Sequence, residues 1–335
     1  MSGATQRIQG KQFMSYSFGI WRTTFAASAV LLGSLAGVTA WGQAAVTPAA
    51  DAHTIITVLS KNKEAAPAVT PANLAVKVDG KEAVVAGLRH YGADKANLQL
   101  VLLIDDSART SLGLYLKEMS QFINGLPPNV EIGVAYIDNG GARFVQPFTL
   151  DHATAAKQLR LPAGFPGANA SPYFALTSLM KAWPSAGQGM RHEVVMVSNG
   201  VDGYYGLRYD PEDPYVNATV RQAQQAGVVI YSIYYKDRGL ASRLGVGINS
   251  GQNYLIQMSE ATGGELYYQG FDNPVSFTPF FEQISRNLQN QYEVGLSVPA
   301  KVKDGLQNLK VKVNAPNTKV NSPSSVFIGE PLEKQ

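Results

Sequence analysis

Leu98-Gln99-Leu100-Val101-Leu102-Leu103-Ile104-Asp105-Asp106-Ser107 is the stretch that decides the fold. Its first seven residues are apolar except for Gln99, with no alternation, and the run then stops on two carboxylates and a hydroxyl. A strand apolar on both sides is covered on both faces, which is the habit of a parallel sheet between helices. Further runs of this kind follow at 131–137, 194–198 and 227–235, with a shorter one at 265–268 and an edge hairpin partner at 142–148. Between the first two, Leu112, Leu116, Met119, Ile123 and Leu126 recur at helical spacing, with Gly125 as a stop. The same logic predicts helices around 152–160, 172–183, 212–226, 252–262 and 276–290. Strand and helix in repetition predict an α/β unit over 97–290, a doubly wound and mostly parallel sheet with right-handed crossovers.

Outward from this unit the period changes to two. Residues 46–53 read as a Pro/Ala linker, and Thr54–Leu59 and Leu74–Val78 read as strands. Asp79-Gly80 supplies the positive φ that a tight hairpin turn needs. After Asn290, Tyr292, Val294, Leu296 and Val298 share one face, and Leu309, Val311 and Val313 follow beyond a turn at Asp304-Gly305. A hairpin or two is marginal alone. The flanks, 46–96 and 291–335, are therefore expected to pair as one small β-sandwich into which the α/β unit is inserted.

Residues 1–45 read as an export signal. Arg22 precedes an apolar, small-residue run that ends at Gly42-Gln43-Ala44, with cleavage expected near Ala44 or Ala45. Translation from Met14 and an uncleaved anchor both stay open. No later stretch is apolar enough to span a bilayer. The mature chain is therefore expected in the periplasm or outside the cell. Removing Arg7, Lys11 and Arg22 from the 28 basic residues leaves 25 against 25 acidic ones. A neutral chain has no electrostatic footprint for nucleic acid or an anionic membrane. The absence of cysteine excludes disulfides, thiolate nucleophiles and Cys-ligated zinc.

In a doubly wound sheet, ligands sit outside the carboxyl ends of the strands. The loops to inspect begin at Asp105-Asp106-Ser107-Ala108-Arg109 and at Ser198-Asn199-Gly200. Oxygen donors there suit a hard cation such as Mg²⁺. The blocks LLIDDSAR (102–109), EIGVAYID (131–138), GANASPYFAL (167–176) and VVMVSNGVDG (194–203) resemble those of a von Willebrand factor A-type domain. VKVDGKEAVVAGL (76–88) and the run 284–313 extend the likeness, over about residues 54–328, to an exported bacterial subfamily common in acidobacteria. The resemblance implies a Rossmann-like sheet and binding of proteins through a metal-ion-dependent adhesion site, Asp-x-Ser-x-Ser with a distal Thr and Asp.

Position by position, Asp105 and Ser107 match the first two ligands, but Arg109 replaces the third. Ala170 stands where Thr is expected, with Ser171 beside it as a stand-in, and Asn199 replaces the distal Asp. A unit charge about 4 Å away is worth about 4 kcal/mol at an effective dielectric of about 20, so an inward Arg109 opposes a dication. It is expected to pair with Asp105 instead. The resemblance thus implies a degenerate site, binding without a metal, and no cofactor, with Mg²⁺ at Asp105, Ser107, Ser171 and Asn199 as the alternative.

A second candidate is the loop 199–215, carrying Tyr204, Tyr205, Arg208, Tyr209 and Tyr215, residue types enriched at interfaces. Its rings have two readings, a partner surface or self-packing beneath a helix cap. No nucleophile elbow or phosphate-binding glycine loop is present. The leading expectation is a non-catalytic, exported protein-binding module of adhesion or scaffold type. It would meet an unidentified protein partner through Asp106, Arg109, Tyr204, Tyr205, Arg208 and Tyr209. The alternatives are a cation-dependent hydrolase using Asp105 and Asp106, and a purely structural envelope component.

Overall fold

The strand closed by Asp105 is β4, Leu98–Asp105, and every one of its residues is buried. It lies in the middle of a six-stranded sheet. On one side it pairs in parallel with β5, Val130–Asp138, and on the other with β7, Arg191–Ser198. β8, Val228–Tyr234, and β9, Leu266–Tyr267, extend the parallel part beyond β7. β6, Gly141–Thr149, closes the other edge as the antiparallel hairpin partner of β5, turning through Asn139 (φ 49°) and Gly140 (φ 75°). The computed structural model describes residues 51–62, 65–92, 97–164, 171–183, 190–206, 208–236, 246–270 and 272–329. The expected signal segment, most of the linker and Ala170 lie outside them.

Alternation along β4 feeds two cores. Leu100, Leu102 and Ile104 join the cluster under α1, Leu116–Asn124, α2, His152–Lys157, and α6, Thr278–Gln289. Val101 and Leu103 join the opposite cluster under α3, Pro172–Ala182, α4, Pro214–Ala226, and α5, Val246–Ala261. This two-faced burial is why the sequence lacks a period-two signal here.

Helix boundaries depart from the periodic reading for local reasons. The stretch expected as one helix from Leu112 divides into a 3-10 segment, Thr110–Tyr115, and α1, with no side-chain cap at either start. α4 begins where Asp213 accepts from the Tyr215 and Val216 N–H groups with Pro214 at its first position, and ends on left-handed Gly227. α5 starts six residues before the expected 252. The strand expected at 265–268 is only two residues long, although the Ser232 N–H still donates to the Glu265 carbonyl at 3.0 Å.

The flanks form one curled antiparallel sheet of seven strands, ordered β12-β1-β10-β3-β2-β11-β13. Its members are β1, Ala52–Ser60, β2, Leu74–Val78, β3, Lys81–Tyr91, β10, Gln291–Ser297, β11, Gly305–Val313, β12, Thr318–Asn321, and β13, Ser325–Ile328. The expected sandwich is thus a single sheet turned over on itself, and β3 is what turns it. Its start pairs with β2 and the remainder with β10. The change of partner falls near a bulge, where Gly87 faces Gly295 but Val85, not Ala86, faces Leu296. An extra residue in one strand bends it and sharpens the twist. Ile56, Val58, Val76, Val78, Val294, Leu296 and Val326 fill the space enclosed.

Candidate functional site

From β4 the chain builds outward through β5 and β6, then returns to place β7 on the other side of β4. Strand order therefore reverses between β4 and β7, the point where an open α/β sheet leaves a crevice. Asp105 closes one of these strands and Ser198 the other, and the Ser198 hydroxyl donates to Asp105 Oδ2 at 2.8 Å. Ser107 donates its N–H (3.0 Å) and its hydroxyl (2.6 Å) to Asp105 Oδ1. Both oxygens of this buried carboxylate thus accept from the chain itself.

Asp106 points elsewhere and meets Arg160 in a two-pronged pair, Nη1 to Oδ1 at 2.7 Å and Nη2 to Oδ2 at 2.9 Å. The Ala163 N–H adds a bond to Oδ1 at 2.8 Å, and the Gly164 N–H one to the Asp106 carbonyl at 2.8 Å. Arg160 lies over the Tyr136 ring, 3.9 Å from its centroid, while the Tyr136 hydroxyl donates to the Arg160 carbonyl at 2.8 Å. Burial pushes the Asp106 carboxyl up, but the guanidinium and the Ala163 N–H outweigh it and hold it below the ordinary range. This pair fastens the segment after α2 to the end of β4. Asp106, expected at a partner surface, is buried.

The residues at Asp105 do not fit the cation cage that the resemblance implies. Arg109, at the third ligand position, is exposed at the start of the 3-10 segment. Asn199, at the distal position, turns its Oδ1 back to its own loop and accepts from the Val201 N–H at 2.8 Å. The Ser171 hydroxyl lies beside Asp202. At the acidic strand end the Arg160 guanidinium neutralises Asp106, a pairing that the sequence did not point to.

The loop after β7 rises at this same edge. Asp202 Oδ1 accepts from the Tyr204 N–H (2.9 Å) and the Tyr205 N–H (3.3 Å), which turns both rings outward. Tyr204 packs edge-on against Phe174 and Tyr215, with centroids 5.1 and 5.3 Å away, and Tyr209 tilts against Tyr254 at 5.0 Å. The Tyr205 hydroxyl donates to Asp210 Oδ2 at 3.0 Å. The rings are nonetheless open: Tyr204 is 53%, Tyr205 44% and Tyr209 38% exposed, and Arg208 is exposed among them. Asp213-Pro214 caps α4, and above it the tyrosines form a braced, half-open aromatic surface.

Beneath this surface are two aspartates that motif spacing did not single out, with Ser171, the expected stand-in for Thr, beside one of them. Asp202 and Asp213 are fully buried, and Ser171 nearly so. The Ser171 hydroxyl lies against the Asp202 carboxylate and the Tyr254 hydroxyl against the Asp213 carboxylate, both outside close hydrogen-bond geometry. Burial pushes the Asp202 carboxyl above its ordinary range, and the Asp213 charge pushes it the same way, against the two N–H bonds and the Ser171 hydroxyl. The only sequence signal was position, since both aspartates fall in the loop after a strand end. Ser198 carried the same signal, its place at a strand end, whereas Arg160 carried none that spacing could expose.

A cavity of about 700 Å³ opens at the opposite ends of the strands, between β1, β3 and α4. Its charged lining is internally paired: His53 and Arg89 meet Glu293, and Arg191 meets Glu193. It is remote from the crevice at Asp105.

No family model matches the sequence, and no curated protein matches it. Solved structures similar to the chain include BatB from Bacteroides thetaiotaomicron, 14% identical over 57% of this chain and 97% of that one, with a TM-score of 0.42. The SpRpn10 VWA domain is 13% identical over 56% of this chain and 94% of that one, with a TM-score of 0.36. Proximal thread matrix protein 1 from the mussel byssus, solved with a zinc-occupied metal-ion-dependent adhesion motif, is 11% identical over 60% and 48%, with a TM-score of 0.42.

Proposed function

We propose that the chain is a non-catalytic protein-binding module, exported from the cell, that meets its partner with the surface around the carboxyl ends of the strands and without a cation at Asp105. The observation that carries this reading is the braced aromatic surface of Tyr204, Tyr205 and Tyr209 with Arg208 beside it. Tyrosine and arginine are the residues that most often dominate interface energetics, and rings already held by neighbours lose little freedom on binding. The commitment of Asp105 to Ser107 and Ser198, and of Asp106 to Arg160, weighs against a hydrolase built on these carboxylates.

The reading is tested with the double variant Tyr204→Ala/Tyr205→Ala and with Arg208→Ala, each compared with wild type for proteins captured from envelope extract. The variants are expected to lose the specific partner, by at least tenfold for the double change, at an unchanged melting temperature. Capture unaltered by all three substitutions overturns the assignment of the surface.

A further inference from the structure

We propose that the cavity between β1, β3 and α4 binds an aliphatic carboxylate, its acid group held by Arg89 beside His53 and its hydrocarbon chain laid along the hollow that leads to Phe327. Strand register builds one wall. Ile55 on β1 and Arg89 on β3 both stand opposite Glu293 on β10, so the three side chains share one face of the curled sheet. His53, two residues before Ile55, lies on that face as well. It is the face turned away from Ile56 and Val294, which fill the sheet's own core. Ala223 of α4 and Val228 of β8 line the cavity from the other side.

Glu293 is the one carboxylate among the described residues of the lining. It accepts from the Tyr91 hydroxyl at 2.9 Å and meets Arg89 Nε and His53 Nδ1, each at 3.5 Å. A single carboxylate thus answers two basic groups. The bond to Glu293 raises the His53 imidazole above its ordinary range, against the effect of burial, which favours the charged form. Arg89 turns only its Nε side to Glu293, and among the described residues neither of its Nη groups has a partner. That pair of Nη donors is the planar fork that fits a carboxylate through two parallel bonds.

The rest of the cavity suits a hydrocarbon. At about 700 Å³ it has the size of a small-molecule site, and Ile55, Val228, Val229, Val326 and Pro323 give it an aliphatic wall. Its one tyrosine, Tyr91, is buried and already faced by the Arg191 guanidinium at 4.4 Å, so its ring is not open to a planar ligand. A second hollow of about 940 Å³ shares His53, Gln224, Ala226 and Gly227 with the first and continues past Val298, Val302 and Phe327. An unbranched chain is the shape that two joined hollows accept. The site lies at the opposite ends of the strands from Asp105 and stands whether or not the tyrosine-rich loop binds a protein.

The test is calorimetric titration of the full chain with octanoate, octanol, octylammonium and acetate, each alone and below the concentration at which it aggregates, followed by thermal unfolding. Octanoate is expected to bind with a stoichiometry of one. At a hundredfold excess over its dissociation constant it should raise the melting temperature by on the order of 5 °C. Octanol and octylammonium lack the anion and acetate lacks the chain, so each should bind weaker by about tenfold or more. Arg89→Gln removes the fork at an exposed position and is expected to weaken octanoate by about tenfold or more, at an unchanged melting temperature of the unliganded protein. Ala226→Phe, exposed and shared by both hollows, should exclude the chain by filling its path. The double variant Tyr204→Ala/Tyr205→Ala should leave octanoate affinity unchanged, which separates failure of this site from failure of the protein-binding surface. Absence of octanoate binding overturns the proposal. So does octanol or octylammonium that binds as tightly, or octanoate binding that either Arg89→Gln or Ala226→Phe spares.

Discussion

Arg160 reaches the strand end from 54 positions beyond the carboxylate it grips. Its replacement strands a buried anion, so Arg160→Ala is expected to destabilise the protein by about 1–3 kcal/mol, with Arg160→Lys intermediate because an ammonium lacks the planar fork. Urea unfolding at neutral pH measures the loss. The sign with pH follows from the depressed Asp106 carboxyl: its stabilisation is complete above the unfolded carboxylate value of about 3.9 and is lost as pH falls through the folded one. The gap between wild type and Arg160→Ala should therefore narrow on acidification. At this scale the sequence was legible where chemistry is local. Asp105 and Ser107 bond within two residues of each other, and the motif shows them. The Arg160 pairing depends on where the segment after α2 returns, which no local pattern encodes.

Elements met their periodic expectations where one face or two clearly seeks a core, and missed where a close approach decides. α5 shows the second case. A Cβ on Gly251 would lie 2.0 Å from the Asn199 carbonyl oxygen, so the bare glycine lets this helix rest on the loop that follows β7. Gly200, at φ +69°, leaves room in return for Leu255. Gly251→Ala is thus expected to cost about 1–3 kcal/mol, although alanine is the better helix former by about 1 kcal/mol. A lowered melting temperature together with altered tyrosine fluorescence would show that the helix and the loop move together. An unchanged melting temperature would mean that the helix can shift without strain. The bend in β3 was illegible for the same reason: it is set by what the strand touches.

Across the whole molecule, the two sheets meet at a buried polar junction. Arg191 bonds Gln291 and the Leu288 carbonyl (3.2 Å), pairs with Glu193 (3.3 Å), and lies over the Tyr91 ring at 4.4 Å. Burial pushes the Glu193 carboxyl up to about 7, against the pull of Arg191. An acid raised on folding favours the folded state while protonated, so this contribution is fully present below about 4.3 and declines as pH rises towards 7. Glu193→Gln is expected to flatten that decline by about 1–2 kcal/mol between pH 5 and 8, read by denaturant unfolding at both values. An unaltered slope would place the titration elsewhere. The division into α/β centre and β flanks was visible in the change of period. The curling of the flanks into one sheet was not, because it depends on β3 exchanging one partner for another.

That arrangement has a mechanical consequence. β1 lies between β10 and β12, so the described strands before and after the α/β unit interlock in one sheet. A pull applied at Asp51 is therefore expected to meet the ladders that hold β1 to β10 and to β12 before it can draw on the chain that leads into the inserted unit.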